Sequence, residues 1–390
     1  AQIDRFAESL LAAATGRPAP EGGYGGAYVE DIARAVVADV PGVLALPADK
    51  ALEVFRTEGV ERMLVEIKQS LADFGVAFDV YFNEKDLHAR GALDHALDRL
   101  RAEGHVFDWD GATWLRTTDF GDDKDRVLIR SDGEPTYFIA DIAYHRDKLS
   151  RGAERMIDPL GADHHGYVPR MKAGLASLGI DPDRYEAPIM QLVNIVEGGE
   201  RARMSKRKGE FVTLDELIDD IGADAARYFL VQRSHDTALD LDLELARTQS
   251  QENPVYYVQY AHARIAGILA KSADEGGPAG DEATQAAALG ADALAVGTEP
   301  AERELIRRLL EFPGEVETSA GRRAPHRICA YATTLAADFH AFYRDCRVVG
   351  VDAELGTDGL EAARLGVCLA TKRVVASALD LLGISAPERM

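Results

Sequence analysis

The sequence predicts an α/β segment followed by an all-α segment. Three short apolar runs alternate with helical patterns in the middle of the chain, at 136–140, 156–160 and 189–196. From about residue 210 onward the apolar residues recur mainly at helical spacing. Alternating strands and helices predict parallel pairing through right-handed crossovers. A length of 390 residues leaves room for two or three domains.

The composition is that of a soluble globular protein, with 46% hydrophobic and 28% charged residues. No apolar run approaches the roughly 20 residues of a membrane span, so we expect no membrane association. The three cysteines, Cys329, Cys346 and Cys368, include no Cys-x-x-Cys pair and have no zinc-ligand spacing. We therefore expect a reducing, cytoplasmic location and no zinc. The net charge of −22 argues against a nucleic-acid binder, but local basic surface can still bind RNA.

Residues 1–126 form the first predicted region, and as far as about residue 110 the pattern is one of helices and loops with little strand signal. Helical patterns lie at 27–40, 47–74 and 91–103. No group of side chains with catalytic chemistry stands out here.

The second region, 127–200, carries the strands. A first strand is predicted at Thr136–Ala140, with a helix opening near Asp141; a second strand ends at Gly161, and a third runs to Val196. Ligands of parallel sheets bind at the carboxyl ends of the strands, which places these ends on one rim. Three strands are few for such a sheet, so we predict a partial, Rossmann-like parallel sheet whose missing strands precede Ala1.

The remaining two regions, 201–250 and 251–390, are predicted to be helical. Thr213 and Glu216 have the spacing of a capping box, and Gly222 is placed to end that helix. Asn253-Pro254 opens a further helix. Residues 272–300 are predicted to be a long connection, followed by helices at about 301–318, 324–344 and 358–382.

A basic, glycine-terminated stretch at 203–209 gives the strongest functional signal. It follows a predicted strand and precedes a capped helix, a context that suits the phosphates of a nucleotide. There Lys206 would neutralise charge on a leaving pyrophosphate. The alternative is a solvated basic turn.

Several segments together resemble one family. Met204-Ser205-Lys206 resembles the core of Lys-Met-Ser-Lys-Ser, the second signature of class I aminoacyl-tRNA synthetases. The stretches 119–128, 203–217, 224–229, 252–264 and 385–390 closely resemble bacterial arginyl-tRNA synthetases. This resemblance covers essentially the whole chain. It implies ATP-dependent activation of L-arginine and its transfer to tRNA(Arg), with Mg²⁺ accompanying ATP, by a monomeric cytoplasmic ligase.

The resemblance also implies roles for individual side chains. Ser205 and Lys206 would be catalytic, and Tyr137 and Asp141 would bind arginine; otherwise Tyr137 is a strand core residue and Asp141 a helix N-cap. ATP would contact Gly161, Asp163, His164, Val193, Met204, Ser205 and Lys206. The adjacent histidines at 164 and 165 do not favour a metal site, because neighbouring residues rarely face one ion.

The helix after Pro254 carries the predicted RNA contacts. Tyr256, Tyr260 and Arg264 are four residues apart and share one face, as stacking platforms for unpaired bases require. The alternative is a packed aromatic stripe. The resemblance favours an all-helical anticodon-binding domain and adds Tyr343 and Met390 to the base pocket.

Three departures from the family pattern bear on activity. Arg203 stands where the family has lysine, and Glu210 where it usually has asparagine. No stretch resembles the first signature, His-Ile-Gly-His, which the family places shortly before the segment resembling Ala1–Phe6. We therefore expect this chain to lack that signature and to be weakly active or inactive alone. A non-catalytic tRNA-binding protein and another class I synthetase, such as the cysteine enzyme, stay open as alternatives.

Overall fold

The computed structural model describes residues 2–201, 212–289, 299–356 and 358–390. The chain divides into two compact units. Unit 1 consists of Ala1–Ala77, Asn194–Gln232 and Asp240–Met390, and unit 2 of Phe78–Val193 and Arg233–Leu239. None of the helices in the described ranges combines the length and the apolar composition that crossing a membrane requires.

Unit 1 begins with three helices that enclose a core of their own. They are α1 (Gln2–Ala14), α2 (Ala27–Asp39) and α3 (Ala48–Asp73), which confirms the helical patterns predicted here. Leu10, Val36 and Phe55 are fully buried between them.

Unit 2 contains a small antiparallel sheet with helices before and after it. The elements are α4 (Glu84–Ala89), α5 (Ala92–Ala102), β1 (Val106–Trp109), β2 (Ala112–Leu115), β3 (Arg126–Ile129) and α6 (Tyr137–Ser150). Strand order is β1-β2-β3. The predicted strand at 136–140 is wrong. Thr136 is an extended N-cap and the following apolar residues form the first turn of α6, because a run this short fits a buried helix face as well as a strand.

The second half of unit 2 holds the parallel pairs. Its elements are β4 (Met156–Ile157), β5 (Leu160–Gly161), α7 (Tyr167–Ala176), β6 (Tyr185–Glu186) and β7 (Ile189–Met190). Strand β4 pairs with β6 and β5 with β7, both parallel. The predicted parallel pairing of the second and third apolar runs, through a helix near 168–178, is confirmed for Leu160–Gly161 and Ile189–Met190. The prediction of one strand over 189–196 is wrong, because Val193–Glu197 forms a separate strand in another sheet.

A glycine lets α7 lie close to α6. A Cβ atom at Gly174 would meet Ile142 Cδ1 at 2.9 Å and Phe138 Cζ at 3.1 Å, closer than packed side chains come. Ile142 and Met171 are fully buried at this contact. The close packing brings the first turn of α7 near the exposed face of α6.

The rest of unit 1 is mainly helical. Strands β8 (Val193–Glu197), β9 (Glu200–Arg201) and β10 (Leu239–Asp242) form a sheet of order β10-β8-β9, where β8 and β9 are antiparallel. Helices α8 (Leu214–Ile221), α9 (Ala223–Val231) and α10 (Leu243–Arg247) accompany it. The predicted capping box is confirmed, since Thr213 Oγ1 accepts from Glu216 N and Glu216 Oε2 accepts from Thr213 N.

The carboxy-terminal helices form a bundle around the largest core. They are α11 (Pro254–Asp274), α12 (Glu282–Leu289), α13 (Pro300–Gly321), α14 (His326–Asp345), α15 (Val351–Leu355) and α16 (Leu360–Leu381). The start of α11 at Asn253-Pro254 is confirmed. The predicted connection at 272–300 is wrong where α12 lies, because an alanine-rich stretch favours helix. Residues 290–298 lie outside the described ranges.

Candidate functional site

Helix α6 places Tyr137 and Asp141 one turn apart on the same face. The Tyr137 side chain is 75% exposed, and Asp141 is partly buried in the second turn of the helix. The two alternatives considered for them, a strand core residue and a helix N-cap, are therefore both wrong. A guanidinium ligand could reach both side chains from solvent.

The carboxylate of Asp141 is partly buried and has one direct hydrogen-bond partner among the described residues. The Tyr167 hydroxyl, at the start of α7, donates a hydrogen bond to Asp141 Oδ2. Burial raises the pKa of Asp141 above the ordinary carboxyl value, although the bond from Tyr167 lowers it in part. Among the described residues its side chain bonds to no cationic group. An ionised Asp141 therefore favours binding of a cation.

Tyr167 was not predicted from the sequence. Burial, and next the negative charge of Asp141, raise the pKa of the Tyr167 hydroxyl, so the phenol stays a donor. The guanidinium of Arg170 lies 5.4 Å from the centre of the Tyr167 ring. The contact between Tyr167 and Asp141 joins residues 26 apart, which no local pattern could reveal.

The candidate nucleotide residues follow β5. Gly161 is the last residue of this strand, and Ala162–His164 form a short 3-10 turn. The side chains of Asp163 and His164 are exposed, with 3.7 Å between Asp163 Oδ1 and His164 Nε2. This loop leads within three residues to Tyr167. The loop after β5, predicted to contact ATP, is thus connected to Asp141 through Tyr167 at the start of α7.

Four side chains of the bundle form one surface, called here the aromatic surface: Tyr256, Tyr260, Arg264 and Tyr343. The rings of Tyr256 and Tyr260 are stacked, with centroids 6.2 Å apart and planes at 8°. The guanidinium of Arg264 lies 5.3 Å from the Tyr260 ring centre and 4.3 Å from that of Tyr343. The side chains are not fully buried, so the rings can accept further stacking partners.

Met390 lies at one end of the aromatic surface. It lines a cleft of about 470 Å³ together with Tyr256, Gln259 and Asp224. The chain end is held there because His262 Nδ1 bonds to the Pro387 carbonyl oxygen at 2.9 Å, and Gln259 Nε2 donates to Asp224 and to the Ser385 carbonyl. The predicted set of RNA-contacting residues therefore lies along one face of α11.

His340 belongs beside this set and was missed. Its ring lies 4.9 Å from the Tyr257 ring and 5.9 Å from the Tyr260 ring, measured between centroids. Burial, with the nearby Arg264 charge, lowers the pKa of His340. A neutral imidazole at this position packs against the Tyr260 ring. The signal that could have found it is its place on α14, three residues before Tyr343.

Comparisons with known proteins show which family the chain belongs to. Residues 52–266 match the family "tRNA synthetases class I (R), catalytic domain", and residues 258–390 match the "DALR anticodon binding domain". The chain is 52% identical over 391 residues to an arginine–tRNA ligase of Frankia alni and covers 69% of that protein. The chain belongs to the arginyl-tRNA synthetases.

Solved structures carry the same fold. An arginyl-tRNA synthetase from Campylobacter jejuni matches with a TM-score of 0.86 and 32% identity, covering all of this chain and 82% of that one. The arginyl-tRNA synthetase of Thermus thermophilus matches in fold with a TM-score of 0.74 at 24% identity, covering 98% and 74%. The predicted combination of a partial Rossmann-like α/β part and a helical anticodon-binding part is thereby confirmed, as is the arginine–tRNA ligase family.

Met204, Ser205 and Lys206, the core of the second synthetase signature, lie outside the described residues. Within the described ranges no group of three or more His, Cys, Asp or Glu side chains is arranged to hold a metal ion. The three cysteines are free and buried.

Proposed function

We propose that unit 2 of this arginyl-tRNA synthetase binds L-arginine through Asp141 and Tyr137. The observation that carries the proposal is the partly buried Asp141 carboxylate, which is held by Tyr167. A guanidinium carries the opposite charge and can pair with both oxygens of a carboxylate at once. The exposed Tyr137 ring, one turn earlier on α6, can cover the aliphatic stem of the substrate.

We further propose that ATP binds as its Mg²⁺ complex beside this carboxylate. Gly161 would let the ribose approach the backbone, and Asp163 and His164 would contact ribose and phosphate. The start of β8 at Val193, which is 39% exposed, would face the adenine. Met204, Ser205 and Lys206 are assigned to the phosphates on the family motif alone. The ATP phosphates hold the magnesium, and the protein uses no zinc.

The reaction needs positioning and charge stabilisation rather than a covalent protein intermediate. An arginine carboxylate oxygen attacks the α-phosphorus of ATP, the bond to the β-phosphate breaks, and pyrophosphate leaves with magnesium. A ribose hydroxyl at the end of tRNA(Arg) then attacks the arginyl carbonyl and AMP leaves. Holding both substrates in line contributes several kcal/mol, typically about 7–11, and Lys206 would stabilise the developing phosphate charge.

We propose that residues 251–390 bind the anticodon on the aromatic surface. Two stacked rings and a guanidinium on one helix face suit unpaired bases, because each base presents a flat face of about the same size. Met390 and Tyr256 would line the pocket for one base. We thus divide the chain into an insertion region at 1–126, a catalytic region at 127–200, a connecting segment at 201–250 and the anticodon-binding region at 251–390.

Calorimetric titration with arginine, in the presence of tRNA(Arg), tests the proposed arginine pocket and does not require turnover. Asp141→Asn should weaken arginine binding by two orders of magnitude or more, since a charge-assisted pair to a buried carboxylate is lost (about 3 kcal/mol). Citrulline, which lacks the charge, should not bind the unmodified protein. Asp147→Asn, on the same helix and paired to Arg151 outside the site, should leave binding unchanged.

The alternatives give different outcomes in the same assays. Unchanged arginine affinity in Asp141→Asn would refute the assigned pocket. Binding of tRNA without binding of arginine or ATP would favour the non-catalytic tRNA-binding protein.

We also propose that the protein is a cytoplasmic monomer. The free cysteines support the compartment, because thiols stay reduced in the cytoplasm. Sedimentation equilibrium should give a mass near 42.3 kDa at micromolar concentration. A mass twice as large would refute the monomer.

A further inference from the structure

A cluster of three largely buried, ionisable side chains, His145, Lys148 and Asp158, lies next to Asp141. Asp158 accepts two hydrogen bonds through its two oxygens: Oδ2 lies 2.7 Å from His145 Nε2, and Oδ1 lies 2.7 Å from Lys148 Nζ. The exposed side-chain fractions of His145, Lys148 and Asp158 are 5%, 19% and 20%. Burial would raise the pKa of Asp158, but the bonds from His145 and Lys148 outweigh it and lower that pKa.

The cluster connects the two halves of the candidate site. His145 and Lys148 follow Asp141 by one and two turns of α6. Asp158 lies in the link between β4 and β5, three residues before Gly161. Its backbone N–H donates to the Glu186 carbonyl at 2.9 Å, and Leu160 N–H donates to the Pro188 carbonyl at 3.0 Å. Asp158 is therefore fixed to the parallel strands, while both of its side-chain partners belong to α6.

Stability alone gives a weak reason for this arrangement. Well-packed apolar side chains often stabilise a fold as much as a buried ion pair, because removing charges from water is costly. Two hydrogen bonds from one helix to a single carboxylate are directional, unlike apolar contacts. They fix both the rotation of the helix and its position along the strand, since either movement lengthens at least one bond.

His145 extends the connection to the arginine-binding turn. Its Nδ1 lies 2.7 Å from the Asp141 carbonyl oxygen, and its Nε2 faces the Asp158 carboxylate. Both partners are acceptors, so the ring donates to both only when each nitrogen carries a proton. The edge of the ring also contacts Tyr185, at 5.2 Å between centroids.

We propose that His145, Lys148 and Asp158 are positioning residues that set the arginine-binding turn of α6 in register with the ribose loop after β5. The proposal rests on the proposed function, because it assumes that Asp141 binds arginine and that Gly161 and Asp163 bind ATP. None of the three residues needs to touch a substrate. Breaking the cluster should weaken the binding of both substrates, because α6 and the loop after β5 are then no longer held in a fixed relative position.

The first test measures the dissociation constants of arginine and of ATP by calorimetry. Asp158→Asn should weaken both about tenfold, since displacements near 1 Å in such sites are costly. Asp147→Asn is the matched control, because its carboxylate, which lies on α6, is likewise little exposed (14%) and is paired to a cation, Arg151, at 2.8 Å. A merely structural role predicts a lower melting temperature for Asp158→Asn with both dissociation constants unchanged.

A second variant keeps the test open if Asp158→Asn does not fold. The double variant Asp158→Asn with Lys148→Met removes one charge of each sign and so leaves no unpaired ammonium in the core. It should fold and still bind both substrates about tenfold more weakly. Normal affinity for both in this folded double variant would overturn the proposal.

A nitrogen-15 NMR spectrum of the His145 ring tests the cluster without requiring the protein to be catalytically active. Asp158→Asn should change the Nε2 signal more than the Nδ1 signal, because Nε2 faces the Asp158 carboxylate and Nδ1 faces the Asp141 carbonyl oxygen. A bare Nε2 in the unmodified protein would contradict the cluster.

The two proposals fail in different ways. If Asp141→Asn leaves arginine binding unchanged, or the unmodified chain binds neither arginine nor ATP, the assigned pocket is wrong and this inference fails with it. If Asp141→Asn weakens arginine while the Asp158 variants bind both substrates normally, only the inference fails.

Discussion

At the scale of single residues, the proposed arginine site depends on Asp141, a carboxylate whose ionisation is opposed by burial. Burial raises the pKa of Asp141, and the hydrogen bond from Tyr167 opposes that rise. A guanidinium ligand would oppose it further. Tyr167 is therefore expected to control both how strongly arginine binds and how far the pH can fall before binding is lost.

Tyr167→Phe should weaken arginine binding about tenfold at neutral pH, the effect of one hydrogen bond to a charged group. Removing the bond also lets the pKa of Asp141 rise further, so affinity should decline at a higher pH in the variant as the solution is acidified. Calorimetric titrations across the acid range measure both effects. Tyr144→Phe, which removes a hydroxyl from α6, the helix that carries Asp141, should bind arginine normally. Superimposed pH curves for Tyr167→Phe and the unmodified protein would contradict this role.

At the scale of secondary-structure elements, an ion pair fixes the turn that leads into β3 and then to α6. Arg126 Nε and Nη2 donate to Asp122 Oδ2 and Oδ1 at 2.7 and 2.8 Å, and the Asp122 side chain is 2% exposed. Burial would raise the pKa of Asp122, but the Arg126 guanidinium and the Asp123 backbone N–H lower it to about 2. The folded pKa is thus below the ordinary value.

Asp122→Asn should destabilise unit 2 by about 2 kcal/mol near pH 7. The contribution is fully present above the unfolded pKa near 4 and is lost as the pH falls through about 2, so the difference between the two proteins should shrink below pH 4. Urea unfolding followed by tryptophan fluorescence measures it, because Trp109 and Trp114 both lie in unit 2. Asp123→Asn, at a 74% exposed partner of Arg126, should have little effect. A difference independent of pH would contradict the assignment.

Elements with chemical signals at their ends were predictable from the sequence, and contacts between distant segments were not. The capping box at Thr213 and the Asn253-Pro254 start were correct because side chains there satisfy local backbone groups. The run at 136–140 was misassigned because short apolar runs do not distinguish strand from helix. Tyr167 and Asp158 acquire their roles only when α7 and the β4–β5 link pack against α6.

At the scale of the whole molecule, the net charge of −22 opposes the approach of a polyanion such as tRNA. Long-range attraction is therefore a poor source of affinity for this protein, and local stacking has to supply more of it. The geometry of the aromatic surface agrees with that requirement. Its one cation, Arg264, lies over two tyrosine rings, a position for stacking on bases rather than for contacting phosphates.

Arg264→Gln should consequently weaken tRNA binding about fivefold without changing how binding depends on salt. Loss of a phosphate contact would reduce the slope of log K against log salt by about 0.7 to 0.9, whereas loss of a stacked guanidinium leaves the slope unchanged. Filter binding at salt concentrations from about 50 to about 300 mM distinguishes a phosphate contact from a stacking contact. Lys271→Gln is the control, because it removes one positive charge from the same helix at a 63% exposed position. Equal losses of affinity in both variants would assign the effect to net charge, and a smaller slope for Arg264→Gln alone would make Arg264 a phosphate ligand.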